Sequence, residues 1–108
     1  MVSAHLNGVI EQIRDRLVAA CSPHKIILFG SQAYGDTTTD SDVDLLLVQD
    51  TDLSPLRRSL RAREAIGDID VPVDLFVLTP DEFEETKDVI GGIAYAPAKY
   101  GRVIYEKP

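Results

Sequence analysis

Two short apolar runs, Ile26-Ile27-Leu28-Phe29 and Leu45-Leu46-Leu47-Val48, bracket a polar stretch that carries Gly30-Ser31 at one end and Asp42-Val43-Asp44 at the other. Each run is bounded by turn residues and has the length of a buried strand, so Gly30-Ser31 falls where one strand ends and Asp42 where the next begins. Polar chemistry is thereby concentrated at the mouth of a sheet. Strand side chains alternate with period two, which aims Asp42 and Asp44 at the same face with their α-carbons roughly 6.5 Å apart. Neighbouring carboxylates raise each other's pKa unless positive charge is supplied, and no Lys or Arg lies between residues 26 and 56. A bound cation answers that need. Magnesium suits the residue types, because it takes hard oxygen ligands, is held by one or two carboxylates, and shares its shell with substrate phosphates. Gly30 permits close backbone approach, and Ser31 offers a hydroxyl beside free N–H groups at a helix start, which suits phosphate.

Taken singly, these signals are weak. Gly-Ser after a strand is commonly a turn with a helix N-cap, and Asp-x-Asp is commonly a solvated strand entrance. A third acidic position strengthens them. Asp74 lies within Val71-Pro72-Val73-Asp74-Leu75-Phe76-Val77-Leu78, which reads as an otherwise buried strand. An unpaired charge there would cost several kcal/mol, on the order given by buried-charge penalties, so Asp74 is expected to be a ligand. Asp68-Ile69-Asp70 also spells Asp-x-Asp, but it sits in the loop before Pro72 with no Gly-Ser at the motif spacing, and it is read as a decoy.

Gly30-Ser31, ten residues, Asp42-x-Asp44 and the later Asp74 resemble the signature of the DNA polymerase beta-like nucleotidyltransferase superfamily, most closely its minimal nucleotidyltransferase members. The resemblance extends over nearly the whole chain and is specific as a combination. It implies a single-domain α/β nucleotidyltransferase fold over residues 1–108, with a mixed sheet of three to four strands flanked by helices. Strand order and direction come from the resemblance alone. It further implies that Asp42 and Asp44 ligate Mg²⁺, that Asp74 completes a metal site or helps deprotonate the acceptor, and that Gly30 and Ser31 contact the triphosphate. One departure stands out: minimal members often read Gly-Ser-Arg-x-Arg-Gly, whereas Gln32 and Tyr34 occupy the two arginine positions here, which with the metal-binding pattern intact implies altered nucleotide or acceptor contact rather than a dead site.

The activity implied is transfer of AMP from ATP to an acceptor hydroxyl with release of pyrophosphate, using two Mg²⁺ ions about 4 Å apart. Minimal members are commonly encoded beside a HEPN-domain protein, often a ribonuclease toxin, and some act as antitoxins by AMPylating it. The resemblance therefore implies a HEPN toxin as partner and a tyrosine or other hydroxyl on it as acceptor. Two further readings remain: a catalytically silent nucleotidyltransferase fold that neutralises its partner by binding, and the catalytic domain of a small-molecule nucleotidyltransferase.

At 108 residues the chain is one domain, too small to carry a separate acceptor-binding domain. Its net charge of −7 argues against broad nucleic-acid binding, which requires clustered Lys and Arg to neutralise phosphates. The single cysteine, Cys21, excludes an internal disulfide; with no signal peptide or membrane-length apolar segment, a reducing cytoplasm and no membrane association are expected.

Periodicity places a first helix over residues 3–20, with Leu6, Val9, Ile10, Ile13, Leu17 and Ala20 on one face. Gln32 to Tyr34 is expected to form a helical turn, and residues 35–41 a polar loop. Ser54-Pro55 opens a helix to about Ile66, closed by Gly67. This helix holds Arg57, Arg58, Arg61 and Arg63, the one basic segment; such faces are usually solvated, and the sharper reading for 57, 58 and 61 is contact with an acidic partner or phosphate. Thr79-Pro80-Asp81-Glu82 has the form of a capping box opening another helix, with the acidic run to Asp88 as its solvated face. Residues 93–99 are ambiguous between loop and short helix, and Arg102 to Glu106 alternates like an edge strand. Tyr95, Tyr100 and Tyr105 are read as packing residues, Cys21 as a core residue, and His5 and His24 as structural or surface residues.

Overall fold

The computed structural model of the chain describes residues 4–30 and 43–108. Its elements in chain order are α1 (Ala4–Cys21), β1 (Lys25–Phe29), β2 (Val43–Val48), α2 (Pro55–Ile66), β3 (Val73–Leu78), α3 (Pro80–Thr86), α4 (Tyr95–Tyr100) and β4 (Arg102–Glu106). The expected turn at 32–34 and loop at 35–41 lie outside the described residues. The four strands form one mixed sheet in the order β3-β2-β1-β4. β1 runs antiparallel to β2 and β4, while β2 and β3 are parallel and are joined through α2, the kind of crossover that a parallel pair requires.

β2 explains its own sequence. Val43, Leu45 and Leu47 face α1 and α2, where they meet Ile10, Ile13 and Leu17 of α1 and Ala62 and Ile66 of α2. Leu46 and Val48 face the other way, towards Ile27, Phe83 of α3 and Ala94. A strand covered on both sides reads as a continuous apolar run rather than an alternation. Each fully buried leucine contributes about 1.5–3 kcal/mol of transfer free energy, so Leu45, Leu46 and Leu47 together anchor the fold. Cys21 is buried in the same α1–α2 core, and burial raises its thiol pKa, in keeping with a packing role.

β3 behaves differently from the reading of its sequence. It is an edge strand, and its burial alternates: Val73, Leu75 and Val77 are buried, whereas Asp74 is exposed. Water meets the Asp74 charge directly, so the argument that a buried charge demands a ligand does not hold for this residue.

The helix ends carry the predicted chemistry. Ser54 caps α2 by accepting from the Arg57 N–H (3.3 Å), with Pro55 in the first turn, and Gly67 ends it at φ 69°. Arg16 of α1 donates to the carbonyl of Ile66 and so ties the end of α2 to α1. In α3 the capping box is complete: Thr79 Oγ1 accepts from Glu82 N–H (3.2 Å) and Glu82 Oε1 accepts from Thr79 N–H (2.8 Å).

Arg58 corrects the reading of the basic segment. It is buried, donating from Nε to the Leu53 carbonyl (2.7 Å) and from Nη1 to Glu82 Oε1 (2.6 Å). It is a strut between α2 and α3 rather than a contact for a partner, and Glu82 is correspondingly not part of a solvated acidic face. The ambiguous stretch near residue 95 forms the short helix α4, held by the burial of Ala94 and Pro97 against the sheet rather than by its own propensity. Tyr105 packs on the core, while Tyr100 remains 58% exposed with its ring edge-on to Tyr95. Among the described residues no helix is long and apolar enough to cross a membrane.

The Glu82 carboxyl is held below its ordinary value of 4.5, first by the Thr79 backbone hydrogen bond and then by Arg58. A depressed folded-state pKa contributes stability that is present above the ordinary value and is lost as pH falls through the depressed one. We therefore expect Glu82→Gln to lower unfolding free energy at neutral pH by up to about 1 kcal/mol, because the carboxylate is 40% exposed and water screens its charge. Urea titrations across pH should show the gap to wild type narrowing below the ordinary carboxylate range.

Candidate active site

The ends of β1 and β2 meet where the motif predicts. Phe29, the last residue of β1, is paired with Asp44, and the chain then turns at Gly30 with φ 74°, a conformation that L side chains rarely adopt. A methyl group on Gly30 would overlap Oδ2 of Asp44. Glycine is needed here for two independent reasons, and the close approach that it permits is made to a carboxylate of the protein itself.

One strand further over, Asp44 pairs in parallel register with Asp74. Neighbouring strands lie about 4.8 Å apart and in-register residues point to the same face, so the two carboxylates stand side by side. Period two places them with Leu46, Val48, Phe76 and Leu78, on the face away from α1 and α2. Asp44 is half-buried and Asp74 exposed. The structure thus brings together Gly30, Asp44 and Asp74 from the predicted set, whereas Ser31 and Asp42 lie outside the described residues. Among those described, no three His, Cys, Asp or Glu residues cluster as a metal-holding group; Asp44 and Asp74 are two of the predicted three. Asp68 and Asp70 are exposed in the loop between α2 and β3, off the strands that carry the candidate pair.

Two residues on this face were not singled out from sequence. Phe29 is opposite Asp44 and Phe76 is two residues beyond Asp74; their rings lie 6.0 Å apart with planes at 48°, bridging across β2. Strand parity would have placed Phe76 on the face of Asp74, whereas Phe29 joins them only through the register of β1 on β2. They give the site a half-buried aromatic floor. The donor set fits a hard divalent cation: adjacent carboxylate oxygens, one of them seated where only a glycine leaves room.

With this geometry in place, comparison with known proteins gives the family. A nucleotidyltransferase domain model matches residues 10–101, and the chain belongs to that family. A protein of Methanocaldococcus jannaschii described as "putative protein adenylyltransferase" is 64% identical over 51 residues, which is 47% of this chain and 45% of that protein. The match therefore spans less than half the relative's length. Among solved structures, a "putative nucleotidyltransferase" from Sulfolobus solfataricus superposes with a TM-score of 0.62 at 18% identity, covering 97% of this chain and 89% of the other. A toxin–antitoxin structure with AMP-PNP superposes at 0.57 and 23% identity, covering 94% of this chain and 73% of that one. A mutant of the toxin–antitoxin pair MntA–HpeT superposes at 0.54 and 24%, covering 94% and 72%. At these identities the structural matches establish the fold: a single α/β domain of nucleotidyltransferase type.

The Gly30–Asp44 contact makes a sharp expectation. Gly30→Ala should destabilise the protein by about 1–3 kcal/mol from the left-handed backbone alone, and by more while Asp44 is present. In a double-mutant cycle with Asp44→Ala, chemical denaturation should show a smaller penalty for Gly30→Ala once the carboxylate is gone; equal penalties in both backgrounds would contradict the packing described.

Proposed function

We propose that this chain transfers AMP from ATP to a hydroxyl of a partner protein, and that the partner is a HEPN-domain toxin modified on a tyrosine. The observation that carries the reading is the in-register pairing of Asp44 and Asp74 beside Gly30. Asp42, one period before Asp44 in sequence, is the proposed third carboxylate, and the three together would hold Mg²⁺. When bound, Mg²⁺ supplies neutralisation of the phosphate oxygens and of the charge that develops on the leaving group.

The chain's own residues divide the remaining work. Gly30 and Ser31 are the proposed triphosphate contacts, orienting the α-phosphorus for in-line attack. Asp74 is exposed and so reachable by a protein-borne hydroxyl; we assign it the acceptor's proton. As the acceptor oxygen bonds to the α-phosphorus, the bond from that phosphorus to the bridging oxygen breaks, and pyrophosphate leaves. The M. jannaschii relative, by its description, and the fold shared with toxin–antitoxin structures support this direction.

A second reading, a silent domain that neutralises its partner by binding, is favoured by Gln32 and Tyr34 standing where minimal members often carry arginines. Intact-mass spectrometry of the co-expressed partner separates the two. Increments of one AMP residue, absent with Asp42→Ala/Asp44→Ala, are the expected result; an unmodified partner whose toxicity is still suppressed favours the silent domain. Asp74→Asn should leave stability unchanged, because the residue is exposed, while lowering the transfer rate by roughly 10²–10⁴-fold, the usual contribution of an acid–base group. Calorimetric titration with ATP should give substantial heat with Mg²⁺ and little without it.

A further inference from the structure

The helix α2 has two sides of opposite character. Arg58, Ala62 and Ile66 are buried, whereas Leu56 and Leu60, one turn apart, are exposed at 70% and 54%. With Leu53, Arg57, Arg61 and Glu64 they line a single groove of about 490 Å³ along the outside of the helix. A neighbouring hollow shares Arg61 and Glu64 with it and carries the surface on to Ala20 of α1. Scattered exposed leucines need no explanation, but leucines that line one groove together mark an interaction site.

The charges around this groove select its occupant. Arg57, Arg61 and Arg63 are exposed, and among the described residues none of them has an ion-pair partner, in contrast to Arg58, which turns inward to Glu82. The lining itself holds two arginines against one glutamate, so it is basic in a chain whose net charge is −7. A second copy of α2 laid along the groove would oppose arginine to arginine. Phosphate or nucleic acid would leave the leucines unmatched, and an anionic lipid surface would be repelled by the rest of the chain. An acidic amphipathic helix satisfies both parts of the lining. Its apolar ridges, three and four residues apart, settle between Leu53, Leu56 and Leu60, and carboxylates at its margin meet the guanidinium groups.

We propose that this groove is the docking site for an acidic amphipathic helix of a partner protein, which lies along α2 with its apolar stripe on Leu53, Leu56 and Leu60 and its carboxylates on Arg57 and Arg61. From Leu56 to Glu64 the helix rises roughly 12 Å, enough to seat two turns of the incoming one. The inference rests on the proposed function in one respect only, that the chain acts on a protein. α2 covers the face of the sheet opposite to the one that carries Asp44 and Asp74, so docking leaves the carboxylates open. β3 is the edge strand beside α2, and a protein seated on α2 reaches the exposed Asp74 around that one strand. The groove thus serves to hold the acceptor protein, while the chemical step belongs to the other face.

Binding of the purified chain to the proposed HEPN-domain partner, measured by surface plasmon resonance alongside transfer assays, tests this. Leu60→Asp alters an exposed position and should keep the wild-type circular dichroism, yet bind roughly tenfold or more weakly. Arg57→Glu/Arg61→Glu should bind as weakly and lose the fall in affinity that added salt causes in the wild type. Both variants should need more partner to reach half-maximal transfer with the maximal rate unchanged, whereas Asp42→Ala/Asp44→Ala should bind normally and transfer nothing. A benzoylphenylalanine photo-crosslinker placed at Leu56 should be recovered on a partner peptide that is net acidic, with apolar residues three and four apart. Absence of a complex with the wild type overturns the proposal, as does binding indifferent to Leu60→Asp, or a crosslink to a basic segment or to a second copy of the chain. Wild-type binding to anionic vesicles that Leu60→Asp abolishes also overturns it. A partner bound through Leu60 but never modified defeats the transferase reading and leaves this inference standing; modification by Leu60→Asp with wild-type affinity does the reverse.

Discussion

The structure depends on the register of β2. Val43, Leu45 and Leu47 must face α1 and α2, and Leu46 and Val48 must face Phe83 and Ala94. A slip of one residue against β1 or β3 would exchange the two sets and carry Asp44 to the helix-covered side, into the apolar core. Burying both faces of β2 therefore does more than stabilise the sheet, because it also decides that Asp44 emerges opposite Phe29 and beside Asp74. The same packing energy that holds the core positions the candidate chemistry.

The two described carboxylates differ in setting, and the difference follows from strand order. β2 is interior, so Asp44 is half-buried and pressed against Gly30; β3 is at the edge, so Asp74 is exposed. An interior carboxylate wedged against backbone is well held. An edge carboxylate is accessible to a large acceptor. The division of roles proposed for Asp44 and Asp74 has its physical origin in this asymmetry, and not in any difference between the residues themselves.

A second organising contact lies away from the site. Glu82 accepts through one oxygen from both Thr79 and Arg58, so the N-terminal cap of α3 is also the anchor of α2. This linkage ties α2, on one face of the sheet, to α3 on the other. One buried arginine thereby accounts for the correction to the basic segment.

Local pattern determined much of this protein. The apolar runs, the caps at Ser54 and Thr79, and the stop at Gly67 placed nearly every described helix and strand within a residue or two, since these signals act over a few neighbouring positions. The residue types at 30, 44 and 74 likewise pointed to one site. Tertiary structure alone decided that β3 lies at the edge and leaves Asp74 in water, that Arg58 turns inward to Glu82, that residues near 95 coil into a helix, and that Phe29 and Phe76 meet across β2. Each of these outcomes depends on which element lies next to which, and such neighbours are chosen by burial summed over the whole chain rather than by any short stretch of it.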